Sequence, residues 1–341
     1  MYDRAVYRPP GVTAHDTDIR HMTAPEGGVT RLAPSPTGAL HLGNVRTFLV
    51  NWALARRLGW RVVLRIEDLD TPRVKAGAIE ETVDLLRWLG MDWDDGPTVQ
   101  SADLGPYRAA MATLAAKGLV YPCELTRGEI EAAASAPHRP EGGDGGGESV
   151  YPASLRPAAR PAAFDREGVN WRFVVPEGEV AFVDGVRGDE AINVAGEVGD
   201  FPVWTKRGHP AYQLAVVVDD ARAGVDRVVR GDDLVGSTGR QLLVYRALGL
   251  GPEPVYWHLP LVIGTDGRRL AKRHGDTRVA SYRDRGTPAE RVVGLIADWS
   301  GVEGPRRAMT AREFADRFDP ARLPHSDIVY SEDDDLWLHS G

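Results

Sequence analysis

Two short segments far apart in the chain carry side chains that could stabilise charge on a polyphosphate. In residues 30–44 two prolines and a glycine interrupt regular structure just before His41. Residues 268–275 form a basic run that contains Lys272. Chemistry at a phosphorus atom needs such donors, because negative charge grows on the phosphate oxygens.

Each segment also has an ordinary interpretation. A loop histidine such as His41 often does no more than cap a helix, and a basic run is usually a solvated surface. The two segments in this order within one chain are much less expected by chance. Together they favour a phosphate-binding site.

The residues around His41 predict the elements that would hold it. Residues 31–33 can end a buried strand, and from Leu40 apolar residues recur at helical spacing. This segment is typical of a strand, a tight loop and the start of a helix. Open α/β sheets bind nucleotides at such a loop, because backbone N–H groups and the helix dipole favour phosphate there.

A second buried strand ends in acids. Residues 61–66 are rich in apolar side chains and run into Glu67, which is followed closely by two aspartates. The carboxyl ends of neighbouring parallel strands meet at one edge of a sheet, so these carboxylates are expected beside the phosphate loop. A solvated acidic turn is the alternative.

Two later segments predict strands of the same sheet. Residues 211–220 form a near-continuous apolar run that ends in two acids, which we interpret as a central parallel strand covered on both faces. Residues 228–234 predict another strand end, with Arg230 facing the same crevice. Ser237 or Thr238 is expected to cap the helix that follows.

Arg230 and Tyr212 differ in how strongly they indicate a site. An arginine that ends a buried strand needs an acidic partner or an anionic ligand, because an unpaired buried charge is costly. For Tyr212, a role as a core aromatic side chain and a role in a site have equal weight.

The remaining pattern predicts helices and short strands. Residues 75–89 alternate as an amphipathic helix. Residues 172–204 carry short apolar runs that predict a small β subdomain. Near the end of the chain, residues 288–299 and 311–318 predict two helices, followed by an acidic tail at residues 332–335.

Composition excludes several classes of protein. The chain has 341 residues with 43% apolar content, enough for a large core and about two domains. No apolar run approaches the roughly 20 residues of a membrane span, and the amino terminus lacks an apolar leader, so we expect a cytoplasmic protein. The net charge of -8 argues against indiscriminate binding to nucleic acid. No obvious symmetric seam appears, and a monomer is expected.

Three motifs resemble a known family. Residues 41–44 resemble the HIGH signature of class I aminoacyl-tRNA synthetases, and residues 65–70 are similar to the glutamyl and glutaminyl types. Residues 268–275 resemble the KMSKS loop, with Lys272 at its second lysine. From about residue 31 to 282 the chain resembles the glutamyl class I synthetases, in particular a short branch that activates glutamate and attaches it to queuosine in tRNA(Asp).

The resemblance implies an α/β fold with a Rossmann-like parallel sheet, helices on both faces, an inserted α+β acceptor-type subdomain and a short helical C-terminal part. The boundaries it implies are a loose N-terminal extension at 1–28, a first catalytic half at 29–93, the insertion at 94–200, a second catalytic half at 201–275, and a short helical region with an acidic tail at 276–341. The last region leaves no room for the anticodon-reading part of full glutamyl-tRNA synthetases. Met22 is a possible alternative start.

The resemblance also implies roles for single residues. His41 and Lys272 would be catalytic. ATP would be bound by His41, Gly43, Asn44 and Lys272, with Mg²⁺ as its counter-ion. Glutamate would be bound by Arg31, Leu32, Ala33, Pro34, Ser35, Glu67, Tyr212 and Arg230. Among these, the two arginines would take the substrate carboxylates, in an order that stays open, and Glu67 the α-ammonium group. An arginine fork pairs with a carboxylate better than with an amide, which favours glutamate over glutamine.

Two positions depart from the family's second signature. Arg269 stands where the first lysine is usual, and Ala271 replaces the serine. Positive charge survives the first change, whereas the second removes a hydroxyl group and should loosen the loop. We therefore expect an active but slower enzyme.

A zinc site that bacterial relatives usually hold is expected to be lost. Cys123, the one cysteine of the chain, and Tyr151 remain, but Leu125 and Leu155 stand where the other sulfur ligands would be. Leucine has no donor atom, and zinc needs about four ligands. Residues 137–148, rich in glycine and charge, are expected to form a flexible surface loop.

Three functions remain open from the sequence. The first is transfer of glutamate to queuosine in tRNA(Asp). The second is a truncated glutamyl-tRNA synthetase that charges a tRNA 3′ end. The third is a non-catalytic paralogue that senses glutamate or binds RNA, although a sensor would have no need of the second phosphate-binding loop.

Overall fold

The computed structural model describes residues 27–36, 40–134, 150–268, 270 and 277–339. Several predictions fall outside these ranges. They are the extension before residue 27, the loop at residues 137–148, and Lys272 with its neighbours at 271–276.

The strands of the described chain are β1 (Val29–Leu32), β2 (Arg61–Ile66), β3 (Asp95–Val99), β4 (Val120–Cys123), β5 (Asn170–Phe173), β6 (Val180–Asp184), β7 (Gly188–Ile192), β8 (Pro202–Trp204), β9 (Arg227–Gly231), β10 (Val255–Leu259), β11 (Val262–Ile263) and β12 (Ile328–Val329). Seven of them form one sheet in the order β3-β2-β1-β9-β10-β6-β7. Its neighbouring strands run parallel except for the β6–β7 pair.

The α-helices in the same part of the chain are α1 (Leu42–Leu58), α2 (Ala78–Trp88), α3 (Gly105–Ala116), α4 (Arg127–Ala134), α5 (Val194–Glu197), α6 (Tyr212–Ala223), α7 (Val235–Leu248), α8 (Val279–Asp284), α9 (Ala289–Trp299), α10 (Ala311–Arg317) and α11 (Glu332–His339). None of these described helices has both the length and the apolar content to cross a membrane.

Two apolar cores lie on opposite faces of the sheet. Side chains of α1, α2, α9 and α10 build one core, and those of α3, α6 and α7 build the other. Along β10, Trp257 belongs to the first core and its neighbour Tyr256 to the second, as the alternation of a strand requires. The predicted α/β fold with helices on both faces is therefore confirmed.

Several local predictions are also confirmed. The strand predicted at residues 61–66 is β2, and the amphipathic helix predicted at 75–89 is α2. The two C-terminal helices are α9 and α10. Thr310 caps α10 with a capping box, in which its side chain accepts from the Glu313 N–H and Glu313 in turn accepts from the Thr310 N–H.

The prediction of a central strand at residues 211–220 is wrong. This segment forms α6, in which every residue from Gln213 to Asp220 is buried. A short apolar run bounded by polar residues fits a buried helix as well as a buried strand, so periodicity alone could not decide. Gly224 ends the helix in the left-handed conformation, with φ of 70°.

The start of α7 also differs from the prediction. The helix begins at Val235, so Ser237 and Thr238 lie inside it and do not cap it. The Thr238 hydroxyl instead accepts a hydrogen bond from Arg230 Nη2 at 2.8 Å. A residue that was expected to cap a helix thus accepts a hydrogen bond from a buried arginine instead.

The β subdomain predicted at residues 172–204 is only partly separate. β5 and β8 join β4 in a small antiparallel sheet, but β6 and β7 extend the central sheet beside β10. Strand pairing between distant segments is not encoded in local alternation, which is why the sequence could not assign these strands to a sheet. The domain boundaries given above stay predictions.

The acidic tail predicted at residues 332–335 is the first turn of α11. Acids are favourable at this position because the helix dipole is positive there. Asp334 and Leu338 are buried, and Tyr330 just before the helix donates to Asp335 at 2.8 Å. The end of the described chain is therefore packed against α9, with the Trp337 indole N–H donating to the Arg291 carbonyl.

Candidate active site

One cavity of about 290 Å³ lies where β1, β9 and β10 end, beside the first turn of α1. Its lining comprises Arg31, Ala33, His41, Gly43, Asn44, Thr47, Phe48, Glu67, Tyr212, Val229, Arg230, Gly231, Asp233, Leu234, Pro260, Leu261, Val262 and Leu270. The carboxyl edge of a parallel sheet is where open α/β folds bind ligands. Eight of the predicted site residues meet here: Arg31, Ala33, His41, Gly43, Asn44, Glu67, Tyr212 and Arg230.

Three other predicted site residues do not line this cavity. Leu32 is fully buried in the apolar core. Pro34 is buried, and its carbonyl accepts from the Glu67 N–H at 3.0 Å, which ties the loop after β1 to the end of β2. Ser35 is exposed. Their place in the sequence motif therefore reflects the shape of the loop.

One side of the cavity is the amino-terminal end of α1. His41 is the N-cap residue, with extended backbone, and Gly43 and Asn44 form the first turn. The helix has 17 residues and no acid in its first turn, so its positive end is not neutralised by its own side chains. Such an end favours an anion such as phosphate.

Described residues on either side of the segment 271–276 lie beside the cavity and the start of α1. Leu270 lines the cavity before the segment at residues 271–276. After that segment, Thr277 accepts from the Leu42 N–H at 3.1 Å, and Val279 donates to the Leu40 carbonyl at 2.8 Å. These backbone bonds join residues 277–279 directly to residues 40–42, although more than 200 residues separate them in the chain.

A buried network of opposite charges forms the second side. Arg65 lies on β2 and donates to Asp220 at 2.5 Å and to Glu67 at 2.9 Å. Burial alone would lower the pKa of Arg65, but Asp220, Glu67 and Asp219 together raise it above its usual value. The arginine is thus permanently charged and fully compensated inside the protein.

Glu67 is the member of this network that faces the cavity. Burial raises its pKa above the usual value, while the positive charges of Arg65 and Arg31 act in the opposite direction. Its carboxylate would be stabilised by a positively charged ligand group beside it. Arg31, on β1, donates to the Val229 carbonyl at 3.3 Å and lies 3.6 Å from Asp220.

Arg230, at the end of β9, has a different environment. Its side chain is buried and donates to His258 at 3.0 Å and to Gln241 at 2.8 Å, in addition to Thr238 and the Leu234 carbonyl. All four acceptors are uncharged groups. Among the described residues no carboxylate lies within ion-pair distance of Arg230, so its positive charge is available to an anion in the cavity.

The sequence analysis did not single out His258, which accepts from Arg230, or Asp184 behind it. His258 on β10 and Asp184 at the end of β6 are both fully buried and lie 2.6 Å apart. Burial lowers the pKa of His258, and the neighbouring Arg230 lowers it further, against the opposite effect of Asp184. A polar residue in the otherwise apolar segment 255–259 was the signal that could have identified His258.

Tyr212 is the first residue of α6 and lies at the cavity's edge. It is 40% exposed, which makes it one of the few exposed large apolar side chains of the described chain. The alternative of a core aromatic is therefore wrong for its position. Thr47, Phe48 and Asp233 also line the cavity without having been predicted as site residues.

The positions expected to have lost zinc form a small apolar cluster. Cys123 Sγ lies 3.7 Å from the Tyr151 hydroxyl, and Leu125 and Leu155 pack against this pair together with Ile130. Within the described ranges no group of three or more His, Cys, Asp or Glu side chains could hold a metal ion. Packing of leucine side chains provides cohesion at this place.

The cavity combines three kinds of recognition in one space. A helix end can take phosphate, Glu67 can take a cation, and two arginines can take carboxylates. An amino acid with an acidic side chain carries one ammonium group and two carboxylates, and a nucleotide carries the phosphate. A carboxylate beside a phosphate is the geometry for acyl phosphate formation.

Comparison with protein families gives a match over most of the chain. The family described as "tRNA synthetases class I (E and Q), catalytic domain" matches residues 29–337. A glutamyl-Q tRNA(Asp) synthetase of Rhodopirellula baltica is 45% identical over 326 residues, which cover 89% of this chain and 97% of that protein. One from Nocardia farcinica is 43% identical over 310 residues, with 90% and 94% covered.

Full-length relatives and a solved structure are similar over a comparable range. A glutamate–tRNA ligase of Geobacter sulfurreducens is 38% identical over 310 residues, which cover 91% of this chain and 65% of that one. The crystal structure of a glutamate tRNA ligase from Elizabethkingia meningosepticum, in complex with its amino acid, superposes with a TM-score of 0.75 at 25% identity. That match covers 91% of this chain and 68% of the other.

Proposed function

The chain belongs to the class I tRNA synthetases of the glutamyl and glutaminyl type, and from this premise we propose that it activates L-glutamate with ATP in the absence of tRNA and then transfers the glutamyl group to queuosine at the wobble position of tRNA(Asp). The observation that carries the proposal is the single cavity that joins the α1 terminus, Glu67, Arg31 and Arg230. These groups match glutamate and a nucleotide phosphate in one space.

The first step forms a mixed anhydride. An oxygen of the glutamate α-carboxylate attacks the α-phosphorus of ATP, the bond to the β-phosphate breaks, and pyrophosphate leaves with the electron pair. The protein has to orient the two reactants and stabilise the added charge. We assign this stabilisation to His41 and Lys272, together with the N–H groups of the first turn of α1. Mg²⁺ enters with ATP and is held mainly by phosphate oxygens and water.

Glutamate is oriented by the other half of the cavity. Glu67 pairs with the α-ammonium group, since a cation relieves the cost of its buried carboxylate. Arg31 and Arg230 take the substrate carboxylates. Tyr212 covers the amino acid from the edge of the cavity. In the second step a nucleophilic group of queuosine attacks the carbonyl carbon of the anhydride, and AMP leaves.

The choice of acceptor rests on the relatives. The chain is 45% identical to a glutamyl-Q tRNA(Asp) synthetase over 97% of that protein's length, and 38% identical to a glutamate–tRNA ligase over 65% of that length. A single-stranded anticodon loop, whose bases can leave the stack, is a kind of RNA that proteins recognise specifically, as is a single-stranded 3′ end. The coverage of the relatives is therefore the point that supports queuosine over a 3′ terminal adenosine.

Two assays test the proposal in sequence. Glutamate-dependent exchange between ATP and pyrophosphate, measured without tRNA, should be present, whereas its absence would favour a non-catalytic glutamate-binding or RNA-binding protein. Radiolabelled glutamate should then appear on tRNA(Asp) that contains queuosine and not on the same tRNA without the modification. An ester on the terminal adenosine, formed equally on both tRNAs, would contradict the proposal and identify a 3′-charging enzyme.

Lys272→Ala tests the second signature. We expect exchange to fall by about 100- to 1,000-fold, because removal of one donor to the transition state typically costs about 2.7–4 kcal/mol. The urea midpoint should stay within the error of the wild type. The matched control is Lys75→Ala, which removes an exposed lysine away from the cavity and should leave exchange unchanged. Wild-type exchange by the Lys272 variant would refute this role.

A further inference from the structure

Arg230 is fixed in place by uncharged acceptors on β10, on α7 and in the turn just before α7. Its Nε donates to His258 Nε2 at 3.0 Å, and its Nη1 donates to Gln241 Oε1 at 2.8 Å. Its Nη2 donates to Thr238 at 2.8 Å and to the Leu234 carbonyl at 3.3 Å. These bonds use four of the five N–H groups of the guanidinium. The orientation of Arg230 is therefore set by the protein before any ligand binds.

The bond from Arg230 determines the protonation of His258. A guanidinium has only donors, so His258 Nε2 must be the acceptor and carry no proton. The proton of the neutral ring then lies on Nδ1, which is 2.6 Å from Asp184 Oδ2 and donates to it. The Thr238 hydroxyl, 3.2 Å from Nε2, can donate to the same nitrogen while its oxygen accepts from Arg230.

Asp184 is itself held as a charged acceptor. It accepts from the backbone N–H groups of Val186 at 2.9 Å and Arg187 at 3.0 Å, in the turn between β6 and β7. Burial would raise the pKa of Asp184, but the hydrogen bonds from His258 and this turn keep it below its usual value. The aspartate thus has no freedom to donate a proton to the imidazole.

We propose that Asp184 and His258 act as a positioning pair for glutamate: Asp184 holds His258 in the Nδ1–H tautomer, so that Nε2 orients Arg230 and leaves its charge unpaired for a substrate carboxylate. The assignment of the substrate rests on the proposed function. Asp184 balances the buried positive charge from the far side of an imidazole ring. A carboxylate in direct contact with Arg230 would compete with the ligand, whereas one placed behind His258 competes less.

Asp184→Asn is the sharpest test, because it changes the tautomer and not the shape. The amide oxygen can still accept from the β6–β7 turn, and the amide NH₂ would then face His258 Nδ1. The ring proton moves to Nε2, where it points at a guanidinium N–H. We expect KM for glutamate in pyrophosphate exchange to rise by about 10-fold or more, with KM for ATP changed by less than about two-fold. Asp189→Asn, which alters an exposed acid on the adjacent strand β7, is the matched control and should change neither KM.

Two further measurements keep the inference testable if Asp184→Asn does not fold. The glutamine of His258→Gln can donate to Asp184 and accept from Arg230. The KM of this variant for glutamate should therefore stay within about three-fold of the wild type. In the wild type, the ¹⁵N spectrum of His258, assigned by its loss in that variant, should show a protonated Nδ1 and an unprotonated Nε2.

The possible results separate this inference from the proposed function. A folded Asp184→Asn variant with wild-type KM for glutamate, or a wild-type spectrum with the proton on Nε2, would overturn the positioning pair alone. A wild-type protein without glutamate-dependent exchange would overturn the proposed function and, with it, the substrate assigned to Arg230.

Discussion

Two buried arginines in the same part of the sheet are held in opposite ways. Arg65 donates to Asp220 and Glu67 and has a third acid, Asp219, at 3.9 Å. Arg230 donates only to uncharged acceptors. The protein neutralises the first charge with acids and, among the described residues, leaves the second without an acidic partner. An uncompensated buried charge is costly unless an anion binds to it. The difference teaches that burial alone does not distinguish these two arginines, whereas the charge of their partners does.

Arg65→Ala removes the arginine whose charge the acids neutralise. Of the variants considered, it should lower the free energy of unfolding most. It leaves Asp220 and Glu67 buried without their partner, and such changes cost about 3–5 kcal/mol. We expect the free energy of unfolding in urea to fall by that amount. Arg312→Ala, which removes an exposed partner of Asp316, should change it by less than about 0.5 kcal/mol. If the two variants were equally stable, Arg65 would not be the scaffold residue described here.

Arg230→Ala should affect binding more than folding. Hydrogen bonds to charged groups contribute about 1.5–3 kcal/mol, so kcat/KM for glutamate should fall roughly 10- to 150-fold. Added glutamate should also cease to raise the Tm. The loss of unfolding free energy should be smaller than for Arg65→Ala, because only uncharged acceptors lose their donor. Arg227→Ala, on the same strand but outside the cavity lining, is the control. A variant that still gains Tm from glutamate would remove Arg230 from the binding site.

The same contrast explains which parts of the candidate site could be predicted from the sequence. His41, Gly43 and Asn44 occur in one contiguous motif, and the α1 terminus that presents them follows from local pattern. Asp184 and His258 lie 74 positions apart and meet only because β6 pairs with β10. No local signal encodes that pairing, so the placement of His258 and Asp184 behind Arg230 could not be predicted, although Arg230 itself was.

The error at residues 211–220 has a similar origin. The apolar run is compatible with a buried strand or a buried helix, and only the packing of α6 between the sheet and other helices decides. This error did not displace the site, because Tyr212 lies at the start of α6 and still reaches the cavity. Asp219 and Asp220 likewise remain beside Arg65. Residues named in contiguous segments thus reached the site although the secondary structure predicted for one segment was wrong. Non-local partners were missed even where the strands were predicted correctly.

Glu67→Gln tests a residue that belongs to both sides of this comparison. Glu67 is part of the neutralised network and also faces the cavity. Burial raises its pKa in the folded protein, so between the unfolded and folded pKa values the folded state holds the proton more tightly. This contribution to stability is present at low pH and is lost as pH rises through the folded pKa. Glutamine does not titrate, so the variant should lack this part of the decline and be at least as stable as the wild type at neutral pH, while its KM for glutamate rises.

The measurement is the free energy of unfolding in urea from about pH 3 to pH 8, compared between Glu67→Gln and wild type. Glu313→Gln provides a control of opposite sign, since a backbone hydrogen bond from Thr310 lowers the pKa of Glu313 and its contribution is lost on acidification. We expect the effect of Glu67→Gln to be smaller than those of Arg65→Ala and Arg230→Ala, because Arg65 and Arg31 partly offset the burial of Glu67. An unchanged pH slope in Glu67→Gln would mean that these arginines offset it completely. Glu67 would then be scaffold in the same sense as Asp220, with no strained charge left for a substrate ammonium group to relieve.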